Sequence, residues 1–562
     1  MLTKRTLSLA CGWLPLLMGA CSDPGSATAS TATTSSTSSG SSGGTGASAT
    51  GATTGTGGST GGGGSGTAGS AGAPITDAGG TGGGTPDSGQ IGFSRPQGKL
   101  PNKSNPASML NLPEADWQKG LVSPSLEVNH HINQPIAMNG YLQLSGNAEF
   151  TWYDIEDPTK PKRLSQIVSP GFNPIAGGKA EGEAESHQVS IAKYGDRFYE
   201  VTTAGTGVDI WNMTDQTRPL HVKGIKLEGI NYGDFTAAVW GMAWQGDTIY
   251  VGGTDTGLHI LDARDPNNVT FVKRIPTSAF GGVSAGPVYA IGNILVITTP
   301  KENGGIATMD ISDPLNPVVL DSILPVKSYI GAFYRHYVYL LSPLRVWDVL
   351  TDPTNIGTAT TPISALTTES SEYMSFADGY MFLGHLRPHP GASKIDVTDP
   401  KNMVIKSRIW GRHVGVDGGT VIYDDQFTIA IGSLLVMADD EKPYLGAVIG
   451  AQSADPDTKP PLVDTVIPRD KATGQSVKSR IGISFTDNIE LATVNPASVI
   501  VRPLGGQPLA GKWGLYMGVL NFDPDVDLAP RTTYEVILPQ GGLTDLVGNA
   551  LAQPFKSTFT TQ

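Results

Sequence analysis

His131, His187 and His413 recur near one position of a repeating sequence, with Glu183, Glu185 and Glu372 within a few residues of equivalent places. Imidazoles and carboxylates brought to one axis are the donor set of zinc or another transition metal, and a plausible acid and base pair. No H-x-H, H-E-x-x-H or comparable local spacing accompanies them. The expectation is therefore a wet, polar channel mouth with no metal and no catalysis. His385, Arg387 and His389 share one loop, GHLRPHPGAS, and are candidate ligand contacts. No G-x-S-x-G occurs, and the G-x-G strings lie in a segment that follows no strand, so neither a serine nucleophile nor a phosphate loop is expected. No enzyme and no cofactor is read from these residues.

The elements that must position them come from a phrase repeated seven times: a β-run, an Asp-Pro turn, and a second β-run ending in an aliphatic residue. Examples are TWYDIEDPTKPKRLSQI from Thr151, LHILDARDPNNVTFVKRI from Leu258, IATMDISDPLNPVVLDSI from Ile306 and SKIDVTDPKNMVIKSRI from Ser393. The aspartates at Asp154/Asp157, Asp262/Asp265, Asp310/Asp313 and Asp396/Asp399 read as turn caps, because Asp accepts N–H groups two residues on and proline ends the ladder. Calcium ligation is the rival reading, without EF-hand or nonapeptide spacing to support it. Ahead of each phrase stands a tight hairpin turn, as in NGYLQL from Asn139 and DGYMFLG from Asp378; His336 and Tyr337 are the weakest match. Trp152, Trp211 and Trp347 are expected in the core between repeats.

Units of four short antiparallel strands, recurring every 40 to 60 residues or so, stack radially into a seven-bladed β-propeller. The aliphatic phrases resemble the LVIVD repeat, a propeller family of bacterial surface and secreted proteins, over about residues 127–451. The resemblance implies a fold and an extracytoplasmic setting, not a ligand. In a propeller the longer connections gather on the face that usually binds, opposite the Asp-Pro turns. Here these are SPGFNPIAGGKAEGEAESH, KLEGINYGDFTAAVW, IGTATTPISALTTESSEY and GHLRPHPGAS.

Residues 1–21 carry Lys4 and Arg5, an apolar run from Leu7 to Met18, and Met18-Gly19-Ala20-Cys21. This is an export signal, too short for a span. It resembles a bacterial lipoprotein signal, which implies lipidation of Cys21; Met18 takes the place where that family prefers leucine. Cleavage near Ala20 is the alternative. Cys11 lies inside the signal, so the mature chain would have no internal disulfide. Residues 22–92, nearly all Gly, Ser, Thr and Ala, read as a disordered linker, a coil spanning about 45–50 Å. Residues 93–126 form an extended connector lying along the propeller.

Past Ala451, SADPDTKPP marks a linker, and residues 459–562 show short alternating strands with frequent turns, an Ig-like β-sandwich. Pro530-x-x-Thr533-Tyr534 and Asp545-x-x-Gly548-Asn549 are similar to the bacterial Ig-like domain of S-layer and surface proteins. Two autonomous units joined by a cleavable linker are expected.

The fold class is thus all-β: a seven-bladed β-propeller followed by an Ig-like β-sandwich, after a disordered N-terminal linker. With 38 basic residues against 51 acidic, a net charge of −13, and no basic run beyond the signal, nucleic acid is not an expected partner. The expected protein is a monomeric lipoprotein of the bacterial cell envelope, in the outer membrane or at the cell surface. It touches membrane only through its lipid and binds an envelope or extracellular protein or polysaccharide. The rival class is a propeller lyase or hydrolase acting on extracellular polymer through a metal at the channel mouth; a purely structural envelope protein is a third.

Overall fold

The computed structural model describes residues 96–124, 126, 134–146, 149–168, 187–300, 304–326, 331–341, 344–356, 371–385, 391–414, 420–422, 427–439 and 446–562. Among these the regular secondary structure is nearly all strand, and no helix is long and apolar enough to cross a membrane.

Each blade is an antiparallel meander whose order in space follows the sequence. Blade one runs Ile136–Met138, Tyr141–Gly146, Glu149–Asp154 and Lys162–Val168; blade two runs Ser190–Tyr194, Arg197–Ala204, Gly207–Asn212 and Leu220–Lys226. Blades three, four and six repeat four strands, while three strands are described for blades five and seven. The segment around Leu121 to Leu126 completes blade seven: Val122 N–H donates to the Ile449 carbonyl, and Leu126 and Ala447 exchange two bonds. The expected connector therefore closes the ring.

Closure is also apolar, because each sheet is too small to bury its own faces. Phe150 and Trp152 meet Phe198 and Trp211 between blades one and two, and Leu142 and Leu144 meet Ile429 and Val436 between blades one and seven. Every other neighbouring pair shares a cluster of its own. The tryptophans expected between blades at Trp152 and Trp211 are fully buried.

The Asp-Pro phrases are capped turns. Carboxylates of Asp157, Asp265, Asp313, Asp352 and Asp399 each accept the N–H two residues on, and the aspartates that open the phrases do the same at Asp154, Asp262, Asp310 and Asp396. These bonds satisfy backbone groups that the ladder has abandoned, and Asn212 does the same in blade two by accepting the Thr214 N–H.

The sandwich has two sheets. One orders Val463–Ile467, Ile481–Phe485, Val519–Pro524 and Gly511–Tyr516; the other orders Ala472–Gln475, Phe555–Thr561, Thr533–Leu538 and Ile500–Pro503. The first sheet does not end at its own edge. Gly511–Tyr516 pairs with the innermost strand of blade two through Trp513 with Lys193, Gly514 with Ala192 and Leu515 with Ile191, making one eight-stranded sheet across both domains. Residues 89–562 are one compact unit, in which the sandwich is packed on the propeller.

Candidate functional site

The innermost strand of each blade ends in a tight turn with positive φ, at Asn139, Gly195, Gly246, Gly292, Arg335, Asp378 and Gly432. These seven turns ring one end of the channel, and the sandwich sits over it, leaving the blade-two turn at Gly195 exposed. Glu490 accepts the N–H groups of Asn139 and Gly140 at 2.9 and 3.1 Å. Asp523 Oδ2 accepts Asp247 N–H at 2.7 Å, and Asn521 accepts Gly292 N–H at 2.9 Å while donating to the Ala290 carbonyl at 2.8 Å. Lys193 reaches the Val494 carbonyl at 2.5 Å.

Blade five explains its odd turn. Arg335 Nε and His336 Nδ1 hold the two oxygens of Asp464 in the sandwich at 2.6 and 2.8 Å. His336, the poorest fit to the hairpin pattern, is there as an interface residue. Buried Arg480 faces Asp523 at 3.3 Å and donates to Thr248 Oγ1 at 3.1 Å.

The hairpin tip at Tyr516, Met517 and Gly518 enters the channel. Tyr516 packs on Tyr289 with ring centres 5.3 Å apart and accepts a bond from Gln134 at 3.3 Å. A cavity of about 40 Å³ remains there, lined by residues such as Ile136, Ile191, Ile429 and Leu515. The other end of the channel is aromatic. His187, 6% exposed, stacks on Trp240 at 3.9 Å and lies 5.9 and 6.0 Å from the rings of Tyr373 and Phe427.

His187 is thus set among aromatic rings at the mouth where the sequence places it. His131, Glu183 and Glu185 lie outside the described residues, as do the side chains of Glu372 and His413, although Glu372 belongs to the strand Ser371–Ala377 and His413 to Arg412–Val414. Arg387, His389 and Cys21 also lie outside them. His385 differs from its expected setting: it is the last residue of Tyr380–His385, 1% exposed, with Nε2 2.6 Å from Ser393 Oγ. Its place is within the blade, not on an open loop.

Two acidic features escaped the linear pattern. Glu200, fully buried on the second strand of blade two, accepts Gln143 Nε2 from blade one at 2.7 Å, and burial pushes its carboxyl up to about 8. Asp378, Asp457 and Asp487 bring carboxylate oxygens within 4.8 Å of one another where blade six, the linker and the sandwich meet. Burial and the neighbouring Asp457 raise Asp378 to about 7, and burial with the charge of Asp378 raises Asp487 well above the usual carboxylate range. Asp378 reads in the sequence as a turn residue and Asp457 as linker; only the fold juxtaposes them.

Residues 457–561 match the family model described as bacterial Ig-like domain. No curated protein matches the chain. Among solved structures, the chain is similar to the computationally designed Ika8 protein (13% identity, 59% of this chain and 99% of that one, TM-score 0.38). It is similar also to the Pan2 WD40 domain of Neurospora crassa (11%, 64% and 96%, TM-score 0.37) and to a functionally unknown protein from Desulfotomaculum acetoxidans DSM 771 (11%, 52% and 90%, TM-score 0.35). The protein is a propeller with a bacterial Ig-like domain seated on it.

Proposed function

We propose that this is a cell-envelope lipoprotein, anchored through Cys21, that binds an envelope or extracellular protein or polysaccharide on the propeller end opposite the sandwich. The observation that carries the reading is the seating of the sandwich on the inner turns. It occupies one end of the channel with the Tyr516 to Gly518 hairpin, while His187, Trp240, Tyr373 and Phe427 fill the other. A partner would then meet the rim where blade-to-blade connections emerge, including residues 227–240 and 276–287, rather than enter the channel. The sandwich acts as a fixed base instead of a flexible spacer. Likeness of the repeats to the LVIVD kind, the Gly/Ser/Thr-rich segment and the bacterial Ig-like match support a surface setting.

The test is sedimentation of the signal-cleaved protein with isolated cell envelopes, untreated, protease-treated or treated with polysaccharide-degrading enzymes. Saturable retention lost on one treatment names the partner class, and retention by none contradicts the reading. Separately, Cys21→Ala should move the protein from the membrane fraction to the soluble one; persistence after a carbonate wash rejects the anchor.

A further inference from the structure

Asp378 belongs to the inner turn of blade six, Asp457 to the segment joining the domains, and Asp487 to the stretch after the sandwich strand Ile481–Phe485. Two oxygens each about 2.4 Å from one calcium ion stand at most about 4.8 Å apart, and these carboxylates meet that limit. Proximity alone does not make a site. What adds to it is Asp487, only 7% exposed. Its Oδ1 accepts the N–H of its own neighbour Asn488 at 2.7 Å, and the carboxylate forms no ion pair among the described residues. Beside it Asn488, 4% exposed, donates to the Phe376 carbonyl and leaves Oδ1 without a donor. A buried carboxylate without a counter-charge costs several kcal/mol.

Lys394 and Lys459 act on Asp378 through charge, but neither forms an ion pair with Asp487 among the described residues. Lys394 Nζ donates to Gln452 Oε1 at 2.5 Å, and Lys459 Nζ lies 5.1 Å from the centre of the Tyr380 ring. Asp545 adds negative charge, its oxygens held by the N–H groups of Val547, Gly548 and Asn549 and by the Asn549 amide. The three segments are already positioned: Asp378 N–H donates to the Thr486 carbonyl at 2.9 Å, and Asp457 exchanges backbone bonds with the Asn102 side chain at 2.7 and 2.8 Å.

We propose that Asp378, Asp457 and Asp487 bind one divalent cation, calcium, which ties blade six, the joining segment and the sandwich together. An all-carboxylate set without imidazole or thiolate selects a hard cation, and calcium tolerates the irregular geometry that three independent segments supply better than magnesium does. The ion supplies the counter-charge that Asp487 lacks.

The test is calorimetric titration of the full chain, freed of metal by EDTA, with calcium chloride and then magnesium chloride, alongside thermal unfolding in each. One calcium per chain, a midpoint raised by a few degrees at saturation, and a weaker magnesium response are expected. Asp457→Asn keeps the backbone bonds to Asn102 and should weaken calcium at least about tenfold while its metal-free unfolding stays near that of the parent. Asp487→Asn should be more stable than the parent in EDTA and indifferent to calcium. Absence of calcium binding at millimolar concentration, or an undiminished response in Asp457→Asn, overturns the proposal and leaves a cluster of carboxyls sharing protons.

Discussion

Glu490 holds the turn at Asn139 by a 2.9 Å bond from the Asn139 N–H to Oε1, and the same oxygen accepts the N–H of Ala492 at 2.8 Å while Oε2 takes Gly140. One buried carboxylate thus caps a short helical turn of the sandwich and the innermost turn of blade one together. Domains that merely adjoin do not share a cap.

Glu490→Ala strips an acceptor from three N–H groups, two of them in a buried contact. It should cost about 2–4 kcal/mol, measured by chemical denaturation of the full chain. Propeller and sandwich signals should fall together. A loss below about 0.5 kcal/mol would mean that water replaces the carboxylate without penalty.

The turn aspartates make a milder prediction. Asp313 Oδ1 accepts Leu315 N–H at 3.3 Å, and Oδ2 accepts the Asn316 amide at 2.9 Å. Asp313→Ala should lower stability by roughly 0.5–2 kcal/mol and leave its response to calcium unchanged. A variant that lost that response would move these residues to the metal-ligand reading.

Repeat number, blade order and the role of the Asp-Pro turns were legible because they are local: period-two alternation, proline and a short polar side chain act within a few residues of themselves. Seating of the sandwich was not. It depends on residues whose meaning appears only across the interface, such as Gly514, where a Cβ would come within 2.0 Å of the Trp244 carbonyl, and Gly482, where one would lie 2.1 Å from Gly292 N. In sequence these are ordinary glycines in strands. SADPDTKPP likewise has the composition of a free linker, yet Asn102, Asn105 and Asn549 bond its backbone. Of the candidate site, the place of His187 at the channel mouth could be counted from the repeat, but the aromatic rings around it come from blades three, six and seven.

Glu200 predicts a pH dependence. Its folded carboxyl titrates near 8 against an ordinary value of 4.5, because desolvation outweighs the bond from Gln143. The native state therefore retains a proton that the unfolded chain has released. This contribution is fully present below about pH 4.5 and is lost as pH rises through 8, at roughly 1.4 kcal/mol per unit within that window. Glu200→Gln should flatten this dependence and gain on the parent as pH approaches 8, in denaturation curves at pH 5, 6.5 and 8. Parallel curves for the two proteins would show that Glu200 ionises in place.

Pairing of the sandwich with blade two joins the two domains in one sheet, and a cross-link reads it directly. Ile191 and Leu515 are directly opposite partners on the two antiparallel strands, which sets their Cβ atoms about 4.5–5.5 Å apart, close to disulfide range after small adjustment. In the signal-cleaved chain carrying Ile191→Cys and Leu515→Cys, mild oxidation should produce a disulfide, seen by mass spectrometry as one linked peptide pair containing both positions, with a single thermal transition. Two unlinked cysteines in folded, monomeric protein, each alkylated independently, would contradict the docked arrangement.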